Sequence, residues 1–419
     1  MSVAGPPAPA AGAHAPGPLA QESPGAKPRD IWFAALALSL GAAVSLGLAR
    51  FSYALLLPLM RADLGWSYFT AGAMNTVNAA GYLAGALLAP MLMKSLGARA
   101  TLLGGSVFVA LVLALHGAVR ADAVLYALRF AAGMGSAAVF VAGGLLAARL
   151  GARCQPGAGM TPSLVLGLYY GGAGLGVVVS ALLVPPLAEL RMAGLAGWAW
   201  GWCALAGVAA LVTLPMAWGT RGATSLPGAA VHGPARFRAR PFAFGLAAYF
   251  VFGLGYIGYM TFIVALLREQ QMSAALVAAF YALLGVGVMA SPWLWAGLLQ
   301  RSRGGRALAL LSALLAVATA LPVLLPGAVP AFVSGLLFGG VMLSIVASTT
   351  ALVRHNLPAG AWSGGISAFT IVFAVGQIVG PSIVGLLADG RGGLRAGLLV
   401  SAAALLIGAL LASRQKPLQ

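Results

Sequence analysis

The sequence predicts an all-α integral membrane protein of twelve transmembrane helices in two six-helix repeat halves, and three observations carry that prediction. Hydrophobic residues make up 61% of the 419 and charged residues only 7%, where a soluble domain holds about 25% charged. The apolar residues gather in twelve stretches, each close to the ~20 residues a helix needs to cross a bilayer. A polar break rich in arginine divides six stretches from six, and a short loop sequence recurs on either side of it.

Residues 1–29 are rich in Ala, Pro and Gly and lack a basic start followed by an apolar core, so they read as a retained, disordered cytoplasmic tail and not as a signal peptide. The N-terminal half, 30–218, holds apolar stretches near 31–60, 68–93, 100–118, 122–149, 163–187 and 196–218. The cytoplasmic linker 219–240, GTRGATSLPGAAVHGPARFRAR, interrupts the pattern with Gly, Pro and arginines. The C-terminal half, 241–412, holds stretches near 241–267, 273–299, 305–326, 328–353, 361–388 and 393–412, and 413–419 form a second cytoplasmic tail. Trp32, Trp66, Trp198, Trp218 and Trp362 fall at span ends, where an amphipathic ring is expected to anchor at the interface. His116, at the end of the third span, is expected there too. GGAGLG at 171–176 follows no strand and lies inside a span, so it reads as close helix packing and not as a nucleotide loop.

The net charge of +17 is read as a topology signal, not as a nucleic-acid footprint. Of the 24 lysines and arginines, sixteen fall in segments on the side of the N-terminus and six on the other; Arg50 and Arg129 alone lie inside spans. The six, Arg61, Arg120, Arg191, Arg268, Arg391 and Arg395, each lie near one of the acids Asp63, Asp122, Glu189, Glu269 and Asp389. Both termini are therefore expected in the cytoplasm. Low lysine with high Ala, Gly and Arg suits a GC-rich genome and a bacterial inner membrane. No cofactor or metal is expected: Cys154 and Cys203 form no framework, and there is no Walker loop, paired carboxylate or Ser/His arrangement for an enzyme to use. The linker is too short to hold the signalling domain of a receptor.

KSLGARA at 94–100 and RSRGGRA at 301–307 both read basic, Ser, any, Gly, any, Arg, Ala, and each joins the second and third spans of its half. The same offset aligns LMRADLGWS at 59–67 with LLREQQMSA at 266–274. Two matches at one offset predict a parallel duplication about an axis along the membrane normal. In this loop motif Gly97 and Gly304 are expected to make the turn, while Lys94, Arg99, Arg301 and Arg306 meet lipid phosphates or helix C-termini.

These features resemble the major facilitator superfamily, and the GLARFSY of the first span is similar to the YbfB/YjiJ-type branch. Residues 57–85, LPLMRADLGWSYFTAGAMNTVNAAGYLAG, resemble that superfamily's first two helices and their connection. RFAAGMGSAA at 129–138 is similar to its fourth-helix motif, with Ala132 where Gln is usual. The loop motif departs from the pattern, since Lys94 stands where an acid is expected. GQIVGPSIVG at 376–385 resembles the glycine and proline pattern of a kinked, closely packed helix. The resemblance implies alternating access around a midplane cavity lined by the first, fourth, seventh and tenth helices.

Arg50 and Arg129 fall at similar depths and are expected to face that cavity from two sides. With no acid in a span core, they need water, backbone carbonyls, tyrosine hydroxyls or an anion to satisfy them. A carboxylate or phosphate would match the planar fork of arginine. Tyr53, one turn after Arg50 on the same helical face, is placed to orient it or to touch the substrate. Asn75, Asn78 and Tyr82 form a polar stripe on the second span, for substrate or for interhelical bonds. Tyr256, Tyr259 and Gln377 are further candidates, on a side that is otherwise apolar because Ile257 and Leu336 stand at the offsets of the two arginines. The expected function is secondary active or facilitative transport of a small-molecule substrate, an organic anion, by a monomer among membrane lipids, with the coupling ion left open. The alternative is a proton-coupled efflux pump for sugars or amphipathic drug-like compounds.

Overall fold

The structure, a computed structural model, describes residues 28–154, 160–187, 194, 196–221 and 237–418. The expected disordered tail up to residue 27, the pair Glu189 and Arg191, and the linker between 222 and 236 lie outside the described residues.

Twelve helices are long and apolar enough to cross a membrane: α1 Asp30–Leu64, α2 Tyr68–Leu96, α3 Ala98–Ala118, α4 Asp122–Gly151, α5 Pro162–Leu187, α6 Gly197–Gly219, α7 Arg240–Glu269, α8 Ala274–Arg301, α9 Arg306–Leu324, α10 Ala328–Asn356, α11 Trp362–Ala388 and α12 Gly393–Ser413. Their outer faces expose Leu111, Leu214, Val329 and Leu410, the apolar surface that hydrocarbon accepts. The chain is a multi-pass membrane protein.

Helix pairing repeats between the first six helices and the last six. α2 packs on α4 as α8 packs on α10, α3 on α6 as α9 on α12, and α1 on α5 as α7 on α11. The turns after α1 and α7 are also alike. Trp66 N–H donates to the Arg61 carbonyl and Met272 N–H to the Leu267 carbonyl, Gly65 and Gln271 are left-handed (φ 67° and 62°), and Ser67 and Ser273 cap the next helix. Structural equivalence at this turn is thus one residue away from the sequence alignment, which pairs Ser67 with Ala274. Gln271 pays a steric penalty that Gly65 avoids.

Small residues set the closest approaches. A Cβ on Gly172 would stand 1.9 Å from the Ser39 carbonyl oxygen, one on Gly176 2.4 Å from that of Ala43, and one on Gly174 2.3 Å from that of Gly285. GGAGLG is therefore a packing surface that lets α5 meet both α1 and α8 backbone to backbone. Opposite it, α1 is π-helical over Ala43–Phe51, and all nine residues are buried. Ser52 N–H reaches back five residues to the Gly47 carbonyl at 3.0 Å. Nothing in the apolar pattern signals this widened turn, which holds Arg50.

Two expectations about span ends change. Trp66 and Trp198 are buried and donate to Asp122 (2.8 Å) and Asp63 (2.7 Å), so they tie helix ends together instead of anchoring in lipid. His116 is fully buried, its ring 4.6 Å from that of Trp202 and its Nδ1 2.8 Å from the Val112 carbonyl.

Candidate functional site

The two intramembrane arginines meet different surroundings. Arg129, 1% exposed on α4, spreads its guanidinium over three acceptors: the Met74 carbonyl (3.4 Å), the Ala49 carbonyl in the π turn (3.3 Å) and Asn75 Oδ1 (3.2 Å). Its cation lies 4.4 Å from the centre of the Tyr53 ring. Asn75 passes the connection across to the other half by donating to Thr261 Oγ1 at 2.7 Å, and Asn78 donates to the Arg129 carbonyl at 2.9 Å. The group is a polar joint between α1, α2, α4 and α7 in which each nitrogen of the Arg129 guanidinium has an acceptor, while Asn78 Oδ1 has none.

Arg50 is 4% exposed and has little around it to hold its charge. Among the described residues its one hydrogen bond runs from Nη2 to Gln377 Oε1 on α11, and its Nε has no partner. Tyr256 on α7 donates to the same oxygen at 3.0 Å, and the cation sits 4.9 Å from the centre of the Tyr82 ring on α2. Behind Tyr256, the rings of Phe252, Phe373 and Tyr249 stack at 4.8 to 5.6 Å, making an aromatic slab. The described acids, Asp30, Asp63, Asp122, Glu269 and Asp389, all lie at span ends, and the one ion pair among the described residues is Arg120 with Asp63, 2.6 Å apart.

The guanidiniums of Arg50 and Arg129 meet different parts of α2: Arg129 reaches the Met74 carbonyl and Asn75 Oδ1, and Arg50 lies against the Tyr82 ring. They do not converge on one partner. Tyr53 accompanies Arg129, not Arg50, and donates to the Ala71 carbonyl at 2.9 Å. Tyr259 is engaged elsewhere, 2.6 Å from Ser334 Oγ and stacked on Phe338 at 4.0 Å. The group around Arg50 thus joins Tyr82, Tyr256 and Gln377; Arg129 gathers Tyr53, Asn75 and Asn78; Tyr259 belongs to neither.

At the end of the molecule that carries Asp63, Asp122, Glu269 and Asp389, the halves are fastened together. Asp389, beyond α11, accepts from the Tyr68 and Phe69 amides at the start of α2, each at 2.8 Å, so a carboxylate of one half caps a helix of the other. Tyr68 Oη donates to Glu269, and Arg61 lies 3.8 Å over the Tyr68 ring. Deeper in, Thr76 donates to the Ile378 carbonyl at 2.7 Å, and a Cβ on Gly72 would stand 2.3 Å from the Pro381 carbonyl oxygen. No comparable packing joins α4 to α10.

The loop motif is also used in two ways. Gly97 is left-handed (φ 86°), and Arg99 donates to the Ala217 carbonyl (2.8 Å) and Thr220 Oγ1 (3.2 Å) at the C-terminus of α6, while Lys94 is exposed. Gly304 makes no left-handed turn; glycine is needed because a Cβ would stand 2.9 Å from the Gln415 carbonyl oxygen. Arg301 and Arg306 are exposed.

The family described as uncharacterised MFS-type transporter YbfB matches residues 42–413. No curated protein matches the chain in sequence. Among solved structures, a bacterial homologue of the human lysosomal transporter Spinster, inward-facing and unoccupied, is similar with a TM-score of 0.69 and 15% identity over 91% of this chain and 96% of that one. The nucleoside transporter NupG is similar with a TM-score of 0.66 and 14% identity over 90% and 98%. The human organic anion transporter MFSD10 gives a TM-score of 0.61 and 16% identity over 93% and 100%.

Proposed function

The chain belongs to the YbfB-type family of MFS transporters, and from that premise we propose that it moves a small organic anion by alternating access, with Arg50 as the anion's ligand. The observation that carries this reading is the contrast between the arginines. Arg129 has three acceptors, whereas Arg50 is buried beside one neutral amide, with its Nε unpartnered. A buried cation left so is costly, and an arriving carboxylate or phosphate offsets the cost through charge-assisted, two-pronged hydrogen bonds. Gln377 and Tyr256 stand beside the fork to orient it or to contact the substrate, and Tyr82 covers its face.

In this reading the basic face is cytoplasmic, the membrane is the bacterial inner membrane, and the joint at the acidic face makes the described state closed outward. With no acid in a described span core, facilitated diffusion or anion exchange is favoured over proton coupling.

The test is thermal unfolding of the purified protein with small mono- and dicarboxylates, phosphates, neutral sugars and cationic drugs. A ligand at a hundredfold of its dissociation constant adds about 2.7 kcal/mol to apparent stability. The expected result is that an anion stabilises the wild type and not Arg50→Ala. Stabilisation by neutral or cationic compounds alone, equal in both proteins, would overturn the anion reading and favour efflux.

A further inference from the structure

The two copies of the loop motif differ in what their basic residues touch. In the first half Arg99 spends its hydrogen bonds on the C-terminus of α6. In the second half that place is taken by backbone: after α12 the chain turns across the loop, and Gly305 N–H donates to the Gln415 carbonyl at 2.8 Å. Gln415 is buried and pins the turn, accepting from Gly245 N–H and donating to the Pro241 carbonyl, both at 3.0 Å. Leu418 N–H donates to Asn356 Oδ1 at 2.7 Å, so the tail is held at two points.

Between this tail and the α8–α9 loop lies a cleft of about 980 Å³, whose lining includes Arg301, Arg303, Arg306 and Lys416 and no acid. Among the described residues none of these four side chains has an acceptor or an ion-pair partner. Three of them surround the N-terminus of α9, a helix whose preceding residue, Gly305, offers no side-chain cap. Cations there oppose the helix dipole, so the arrangement is unfavourable unless an anion joins it. A topology signal needs basic residues in this loop, but it needs neither a pinned tail nor a cleft.

We propose that this cleft binds a phosphate-bearing anion, which in the membrane is the headgroup of an anionic phospholipid. The site lies at the end of the spans, at headgroup level, and its volume exceeds what a single phosphate requires. Free phosphate shares the recognition chemistry and is separated from lipid by the test.

The full chain, purified in neutral detergent, is titrated with short-chain phosphatidylglycerol, with phosphatidylcholine of the same chain length and with inorganic phosphate, and thermal unfolding is followed. Phosphatidylglycerol is expected to stabilise saturably and phosphatidylcholine not. A surface arginine contributes about fivefold to anionic-lipid affinity, so the triple variant Arg301→Gln, Arg303→Gln, Arg306→Gln is expected to bind about a hundredfold more weakly. A control losing as many charges outside the cleft, Arg149→Gln, Arg238→Gln, Arg240→Gln, should titrate like the wild type. Saturation by phosphate at the same concentrations, lost in the triple variant, supports the site with free phosphate as its ligand. Equal stabilisation of wild type and triple variant by phosphatidylglycerol, or equal effects of the two lipids, overturns the proposal. Should the triple variant not unfold cooperatively, Arg303→Gln alone decides: about fivefold weaker binding supports the site, and unchanged binding overturns it.

Discussion

Arg50 and Arg129 look alike in the sequence, each a lone cation in an apolar run, and the difference between them lies in carbonyls supplied by other helices. Arg129 is held by Met74, Ala49 and Asn75, none of them near it in the chain. Truncation to Arg129→Ala removes three hydrogen bonds to a charged group and leaves Asn75 Oδ1 buried without a donor, so a loss of about 3 kcal/mol or more is expected in denaturant unfolding. Arg50→Ala removes a poorly paired charge, and unliganded stability should be unchanged or higher. The same reasoning explains the fate of Tyr53: helical spacing puts it one turn from Arg50, but its ring ends at Arg129 because a side chain's partner is chosen by the helix it faces. Asn75 and Asn78 were legible as a polar stripe, though only the structure shows that they bond helices to one another.

At the scale of elements, the spans were legible because a bilayer imposes their length and apolarity, while the π turn in α1 was not, because its surroundings come from α4 and α5. Gly47 sits in that turn, and a Cβ there would stand 2.4 Å from Gly176 Cα and 2.9 Å from the Ala173 carbonyl oxygen. Both obstacles are backbone and cannot move aside. Gly47→Ala is therefore expected to cost about 1–3 kcal/mol in thermal or denaturant unfolding, the usual range for overpacking. Gly104→Ala, with nothing within 4 Å of the new Cβ, should change stability by no more than about 1 kcal/mol, in the stabilising direction.

The joint at the acidic face makes a second prediction at this scale. Asp389→Asn keeps the shape but loses the charge and one of two acceptors on the amides of α2. A cap of this kind is worth about 0.5–2 kcal/mol, so the population open at the acidic face should rise by about 2- to 30-fold. Spin labels at Ala62 and Ala275, in exposed positions of the two halves, would report it as a growing long-distance component. An unchanged distance distribution would show that the cap does not hold the halves together.

For the molecule as a whole, the duplication could be read from two loop matches, and the repeated pairing of α2 with α4 and α8 with α10 agrees with it. The one-residue shift at Gly65 and Gln271 could not, since backbone conformation decides equivalence there and Gln gives no hint of a left-handed turn. The site was half legible for a related reason. The sequence offset sets Ile257, and the one-residue shift Tyr256, where the first half has Arg50; either way the asymmetry of charge follows, but the contacts of Gln377, Tyr256 and Tyr82 with Arg50 depend on how the halves meet. The measurement that tests anion transport most directly is uptake into proteoliposomes of the anion that stabilises the wild type, compared between wild type, Arg50→Lys and Arg50→Ala at equal amounts of folded protein. The expected result is that Arg50→Ala falls at least about tenfold, the loss of one charge-assisted bond, with Arg50→Lys between it and the wild type. Wild-type uptake by Arg50→Ala would contradict the assignment of Arg50 as the substrate's ligand.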